Sequence, residues 1–470
     1  MNRLVVISNR VALPRAQGSA GGLAVALGDA LAEAGGVWFG WSGKIAEGPV
    51  KAPSTYSRNN VRYVTADLTQ EDFDEYYLGF SNSVLWPSFH FRLDLADFAR
   101  NFFRGYRRVN CAFADRLLPK LDGHEIIWVH DYHFLPIGAE LRKRGCQQKM
   151  GFFLHIPWPP PQVIQAVPGH EWLVRSLFAY DLIGFQTQAD RRNFVRYVRE
   201  EIGGQRVDEN RVSVRGRKLT VKVFPIGIDV QSFQAMADSR EGSKAMRRMR
   251  QRNQNHTQIV GADRLDYSKG LPNRFHAFRS LLEMLEAERD KNLQAFGRVT
   301  LMQITPPSRE KVEAYAELRR ELEQLSGEIN GNFSEFDWTP IRYIHRNVGR
   351  AILAGIFRVS RIGLVTPLRD GMNLVAKEYI AAQEPQDPGV LVLSRFAGAA
   401  ETMTQALIVN PYDEEQMADT LMRALAMPLA ERIERHQALL QDVHRHDINA
   451  WRQSFLKTLQ ALEPQDIQAI

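Results

Sequence analysis

At 470 residues, with 44% hydrophobic and 24% charged residues, the chain has apolar content for two or three domains and too much of it for a disordered protein. A formal charge of +6 is small for this length and suits anionic small molecules as well as nucleic acid. Two cysteines, Cys111 and Cys146, exclude a disulfide framework and fit a reducing cytoplasm, and no run nears the ~20 apolar residues of a membrane span.

From the N-terminus, residues 4–7 read as a strand, an apolar run too short for a signal peptide. Gly21 and Gly22 open an apolar helix to about Ala34, and residues 37–40 and 61–64 are further strands. Thr69-Gln70-Glu71-Asp72 has the character of a capping box and starts a helix carrying Tyr76 and Tyr77. One long helical region is predicted over 94–121. Strands follow at 125–129, 152–155 and 182–185, and a helix at 189–201. The polar run 231–255, with Lys244, Arg247, Arg248, Arg250 and Arg252, reads as a linker and an exposed helix opening a second domain. Strand candidates resume at 258–261, 299–304, 343–344, 362–365, 390–393 and 406–409, and helices close the chain over 414–462. Regular alternation predicts an α/β protein of two doubly wound parallel sheets, with boundaries at 1–235 and 236–455. Residues 456–470 are expected to form a helix packing back toward the first domain. No solenoid-period repeat is present.

In open sheets of this kind ligands sit outside the carboxyl ends of strands. The polar clusters fall there: Asn9-Arg10, Gly21-Gly22, His130-Asp131-Tyr132-His133, His155, then Arg264, Asp266, Tyr267 and Lys269, then Ser308-Arg309. The most informative stretch runs from Arg369 through Asp370, Gly371, Met372, Asn373, Leu374 and Val375 to Glu378. It reads as a strand stopped at Thr366-Pro367, a glycine turn, and a helix beginning near Met372. The free N–H groups of such a helix suit a phosphate, and Asp370 and Glu378 suit hydroxyls, together the needs of a sugar nucleotide.

Competing motifs fail on geometry. No strand is followed by G-x-G-x-x-G, and Gly40 to Lys44 lacks P-loop spacing. His130 and His133 read better as a polar rim than as metal ligands. Asp72 and Asp74 would point to different faces of their helix, so no metal clamp is expected. Arg264 and Lys269 supply fixed cations for a departing diphosphate, and Arg10 and Arg309 remain for a second anion. Trp41 and Trp86 offer flat apolar faces of the kind sugars pack against, with a core role equally open.

The chain resembles the trehalose-6-phosphate synthase family, retaining glucosyltransferases with two facing Rossmann-like domains of the GT-B type. The resemblance rests on SNR (8–10), AGGL (20–23), WFGWSG (38–43), DEYYLGFSNSVLWP (74–87), IWVHDYHFLP (127–136), GFFLHIPWP (151–159), DRLDYSKGLP (263–272) and LRDGMNLVAKEY (368–379). These run in family order and cover nearly the whole chain. The resemblance implies transfer of glucose from UDP-glucose to glucose 6-phosphate, giving α,α-trehalose 6-phosphate and UDP, in a cleft between an acceptor-binding first domain and a nucleotide-sugar-binding second one.

Carried over by position, Arg10, Tyr77 and Arg309 would hold the acceptor phosphate, and Trp41, Trp86 and Asp131 would border the acceptor and the reacting sugars. His155 and Asp370 would bind donor glucose hydroxyls, with Gly22 on a loop closing over the donor. Arg264, Lys269 and the amides from Met372 to Val375 would meet the diphosphate, and Glu378 the ribose. Asp131, His155, Arg264, Lys269 and Asp370 thus form the expected catalytic set. In such enzymes no carboxylate is known to act as a covalent nucleophile; attack is from the front face and the leaving phosphate takes the acceptor's proton. No cofactor, nucleic-acid or membrane partner is expected, and a cytoplasmic homo-oligomer is. Trp158 and Pro160 depart from the family, which more often has Phe and a small hydroxyl residue there. The alternatives are another donor nucleotide, a polyol phosphate acceptor, or a non-catalytic sugar-phosphate sensor.

Overall fold

The computed structural model describes residues 3–13, 22–48, 52–252, 256–289, 298–308 and 312–463. The chain divides into two compact units, Met1–Pro225 with Asn449–Ile470, and Ile226–Ile448.

The first unit is built on a ten-stranded sheet. Its parallel centre runs Val61–Leu68, Gly36–Ile45, Leu4–Arg10, Ile126–His130, Met150–Phe153, Leu182–Phe185, Arg217–Val223. Both edges turn antiparallel, with Ser54–Arg58 on one side and Arg211–Val214 then Gln205–Arg206 on the other. The outermost strands, Ser54–Arg58 and Gln205–Arg206, are short, polar and largely exposed, so no apolar run announces them. The central strands are covered on both faces and read as continuous apolar runs; all five residues of Ile126–His130 are buried. Behind them, the buried Asp181 carboxylate takes hydrogen bonds from Arg142 at 3.0 Å, Arg217 at 2.9 Å and the Met150 amide at 2.8 Å, tying three strands together.

Two helical predictions in this unit need correction. The region 94–121 is not one helix: short 3₁₀ turns at Leu93–Leu95 and Leu118–Lys120 flank an α-helix at Arg100–Leu117. Ala96 and Ala99 take extended backbone and separate the first two. The Tyr76-Tyr77 helix does start as predicted, with the Thr69 hydroxyl accepting from the Asp72 amide at 3.0 Å. It then widens into a π-helix over Phe73–Leu85. The side chains of Asn82 and Ser83 also donate to the carbonyls of Tyr77 and Leu78, five residues back, alongside the backbone bonds of the wider turn. Asp72 is held by Arg108 and Asp74 by Gln70.

The first unit ends at Pro225, not at 235. Helix Val230–Asp238 belongs to the second unit because Phe233 packs 6.4 Å from Phe357 and under the Arg350 guanidinium at 5.6 Å. The return to the first unit likewise begins at Asn449, seven residues before 456. Helix Ile448–Ala461 lays Trp451 and Phe455 on Trp128, each 4.9 Å between centroids. Phe455 enters a groove that exists because Gly151 and Gly184 have no side chains; a Cβ at either would lie within 2.9 Å of its ring.

The second unit has a six-stranded, wholly parallel sheet in the order Ile341–Ile344, Arg298–Ile304, His256–Ala262, Ile362–Val365, Val390–Ser394, Leu407–Val409. In each unit the chain adds strands to one side of its first strand and then crosses to the other. The crossing places Leu4–Arg10 beside Ile126–His130 in one sheet and His256–Ala262 beside Ile362–Val365 in the other. At such switch points the loops leaving the strands part and open a crevice. No helix among the described residues is long and apolar enough to cross a membrane.

Candidate active site

At the switch point of the first unit, Arg10 ends its strand with its guanidinium 4.8 Å above the Trp41 ring. Trp41 also meets Tyr77 at 5.1 Å, and Tyr77 stacks on His133 at 6.1 Å with only 13° between ring planes. The π-helix therefore delivers Tyr77 to the same strand end as Arg10. Trp41 and Trp86 are 1% and 6% exposed, so neither presents the open face expected for sugar stacking. Trp41 instead supports the Arg10 cation, and Trp86 is wedged between His90 and Tyr132.

Asp131 follows the adjacent strand with φ of 74°, a left-handed conformation that is uncommon for a residue with a side chain. Its amide donates to the Phe153 carbonyl at 2.8 Å, and its Oδ1 accepts from the His155 amide at 3.3 Å. His155 Nε2 lies 3.1 Å from His130 Nδ1. Burial holds both imidazoles below their ordinary range, His155 at about 3, so both are neutral near pH 7. Trp158 is buried against Phe89, Phe185 and Phe194, and its amide donates to Asp190 at 2.8 Å, which fixes the start of the proline-rich loop. Gly22 begins helix Gly22–Ala34. Arg309, and Ala20 and Gly21 before Gly22, lie outside the described residues.

At the switch point of the second unit, Lys269 Nζ meets Asp370 Oδ2 at 2.5 Å, and Asn373 Nδ2 donates to the same oxygen at 3.0 Å. Several local features hold this cluster. Lys269 closes a 3₁₀ turn, Tyr267–Lys269, that Asp266 caps by accepting from the Ser268 amide at 3.0 Å. Gly270 follows in a left-handed conformation at φ 63°. The Leu368 amide donates to the Ser268 carbonyl at 2.8 Å, joining the two loops. Beneath them, fully buried Arg274 donates to Asp263, Gln303 and Thr366, fixing the ends of three strands. Arg264 has a half-exposed side chain, 4.0 Å from Asp266.

The helix that was expected near Met372 begins at Leu374. Asn373, at φ 71°, interrupts it and makes no side-chain cap, so its amide side chain is spent on Asp370 rather than on the first turn. The amides of the first turn, including those of Leu374 and Val375, thus lack a side-chain cap, beside a loop carrying Gly371. Met372 is buried and its carbonyl accepts from Ala399 at 2.9 Å. Glu378 receives a hydrogen bond from Arg350 at 3.1 Å; burial raises its pKa while Arg350 lowers it, and burial prevails.

The structure thus gathers Arg10, Trp41, Tyr77, Asp131 and His155 at one switch point, and Lys269, Asp370 and Asn373 at the other. Sequence reasoning did not single out Arg350 or Arg274. Both sit inside helices, where an arginine looks like any solvated cation, and only the fold turns them inward.

A model of glycosyltransferase family 20 matches residues 7–461. A trehalose-6-phosphate synthase of Klebsiella pneumoniae subsp. pneumoniae is 48% identical over 467 residues, spanning 99% of this chain and 96% of the relative. An α,α-trehalose-phosphate synthase (UDP-forming) from Burkholderia xenovorans, solved in complex with glucose-6-phosphate, superposes with a TM-score of 0.91 at 47% identity, covering 98% of this chain and 100% of that one. A structure from E. coli bound with UDP-2-fluoro glucose superposes with a TM-score of 0.93 at 46% identity, covering 99% and 100%.

Proposed function

The chain belongs to glycosyltransferase family 20, and from that premise we propose that it moves glucose from UDP-glucose to glucose 6-phosphate, with retention, to form α,α-trehalose 6-phosphate and UDP. The observation that carries the reading is the Lys269–Asp370–Asn373 cluster beside the uncapped start of helix Leu374–Ala382.

In this reading Asp370 and His155 bind donor glucose hydroxyls, while Arg264, Lys269 and the amides of the first turn receive the diphosphate. Glu378 takes the ribose, its position set by Arg350. Arg10 and Tyr77, together with Arg309, hold the acceptor phosphate, and Asp131 borders the acceptor sugar. Gly22, the first residue of helix Gly22–Ala34, meets the donor in this reading.

The electrostatic logic favours front-face attack over a covalent intermediate. A nucleophilic carboxylate must be presented bare to the anomeric carbon. Asp370 is paired with Lys269 and hydrogen-bonded by Asn373, and Glu378 is paired with Arg350, which suits orienting roles. Fixed cations and amides act where charge develops, on the departing diphosphate, and its oxygen takes the acceptor's proton. In this reading Asp131, anchored by two hydrogen bonds with the backbone, orients the attacking hydroxyl.

Incubation with UDP-glucose and glucose 6-phosphate, without added metal, is expected to release UDP and yield a phosphorylated non-reducing disaccharide with both anomeric centres α by proton NMR. Absence of product at saturating substrate sinks the proposal. GDP- and ADP-glucose as donors and a polyol phosphate as acceptor, run in the same assay, separate the nearest related activities.

A further inference from the structure

The two histidines at the first switch point are chemically unequal. His130 is 1% exposed, among Trp128 at 4.5 Å, Trp451 at 6.2 Å and Phe153 at 6.5 Å. Its Nδ1 faces His155 Nε2 at 3.1 Å, and its Nε2 is buried with no hydrogen-bond partner. His155 is partly exposed, and its Nδ1 is not among the buried unpartnered atoms.

Two neutral arrangements of the shared hydrogen bond exist, since one ring must donate and the other accept. If His155 Nε2–H donated, His130 would carry its own proton on Nε2, a buried N–H with no acceptor. If His130 Nδ1–H donates, its Nε2 is a bare lone pair in an apolar cage, and an orphaned acceptor is tolerated more readily than an orphaned donor. The second arrangement puts the His155 proton on Nδ1, the nitrogen left open to the site.

We propose that His130 is a positioning residue that locks His155 in the Nδ1–H tautomer, making His155 a fixed hydrogen-bond donor to a hydroxyl of the donor sugar. The ligand half of this statement rests on the function proposed above; the tautomer half does not. A donor at that nitrogen selects a hydroxyl oxygen that still has its own proton to give to an acceptor. It also discriminates against a sugar whose hydroxyl at that position has been removed.

The test uses the whole protein with ring-¹⁵N-labelled histidine. Long-range nitrogen–proton correlations distinguish the two neutral tautomers, and the spectrum of His155→Phe assigns the His155 signals. The expected result is an Nδ1–H pattern for His155 in the wild-type protein. An Nε2–H pattern overturns the proposal without any variant of His130 having to fold. In His130→Phe the His155 pattern is expected to become mixed, with kcat/KM for UDP-glucose falling about tenfold. His130→Asn, whose amide nitrogen can stand near Nδ1, is expected to restore most of both. Loss of activity in His130→Phe with the His155 pattern unchanged would reduce His130 to a packing role and overturn the proposal. If His155→Phe leaves the UDP-glucose KM and kcat unchanged, the donor-binding role of His155 falls, and with it the ligand half of the proposal.

Discussion

Lys377 sits one residue before Glu378 in helix Leu374–Ala382, fully buried, with its ammonium donating to a single carbonyl, that of Ile226, at 2.8 Å. Burial is the larger influence on it and Asp442 the smaller, opposing one; the net effect takes its pKa from 10.5 down to about 8. At about 1.4 kcal/mol for each pH unit, the buried charge carries a penalty on the order of 3 kcal/mol. The sign follows from proton counting. Between pH 8 and 10.5 the unfolded lysine keeps its proton while the folded one releases it, so wild-type stability rises with pH across that window. Below pH 8 both states are charged and the penalty stands in full. Lys377→Met removes the titration, so the stability advantage of the variant over wild type is expected to shrink by roughly 2–3 kcal/mol from pH 7 to pH 10. Urea unfolding of both proteins at several pH values, scored by pulse proteolysis, measures it, because taking the difference cancels the other groups that titrate there. A gap that stays constant to within about 0.5 kcal/mol would refute the argument, since it would mean that the ammonium is solvated or paired.

Other changes address the sites. Arg10→Ala removes a charge-assisted contact worth about 1.5–3 kcal/mol, so the KM for glucose 6-phosphate is expected to rise roughly 10- to 150-fold with the UDP-glucose KM little changed; equal effects on both substrates would contradict the acceptor assignment. Asp181→Ala strands two buried guanidinium groups, Arg142 and Arg217, and is expected to destabilise the fold by roughly 3–5 kcal/mol; a loss below about 1 kcal/mol in thermal unfolding would show that the network is dispensable. Gly270→Ala places a Cβ 2.7 Å from the Thr366 carbonyl at a φ of 63°. A stability cost of about 1–3 kcal/mol should accompany a lower kcat, because Lys269 is the preceding residue; unchanged kinetics would separate that turn from catalysis. With His155 neutral above about pH 4, kcat/KM for UDP-glucose should show no limb near pH 6.5 that disappears in His155→Asn, and finding one would mean that the imidazole is solvated.

The architecture was legible because buried parallel strands are apolar along their whole length. Runs such as Ile126-Ile127-Trp128-Val129 and Ile362-Gly363-Leu364-Val365 stand out without any alignment. The antiparallel edges were not, since Ser54–Arg58 and Gln205–Arg206 are solvated ribbons defined only by their neighbours. The same contrast holds at the sites. Charged residues after strands pointed to Arg10, Asp131, Lys269 and Asp370, because strand ends are where polar groups are tolerated beside a core. Whether an aromatic ring faces solvent or the interior depends on the element packed over it. The sequence left Trp41 open to either a sugar-facing or a core role, and it is covered by Arg10 and Tyr77. The π-helix at Phe73–Leu85 was invisible for a different reason: its bonds reach back five residues, as those of the Asn82 and Ser83 side chains also do, a spacing that α-helix periodicity does not contain.

The groove left by Gly151 and Gly184 has a consequence for synthesis on the ribosome. Its occupant, Phe455, is translated after the whole of the second unit, so the first unit leaves the exit tunnel with its Trp128 face uncovered. At ordinary elongation rates of ~5–20 residues per second, that interval is roughly 10–45 s. Throughout it an indole and the gaps at two strand glycines present an apolar slot in which any nascent aromatic could lodge, and chaperone holding of the half-made chain is expected at this stage. A chain ended before Trp451 would stay at that stage permanently, which makes the last helix the step that commits the newborn polypeptide to its native state.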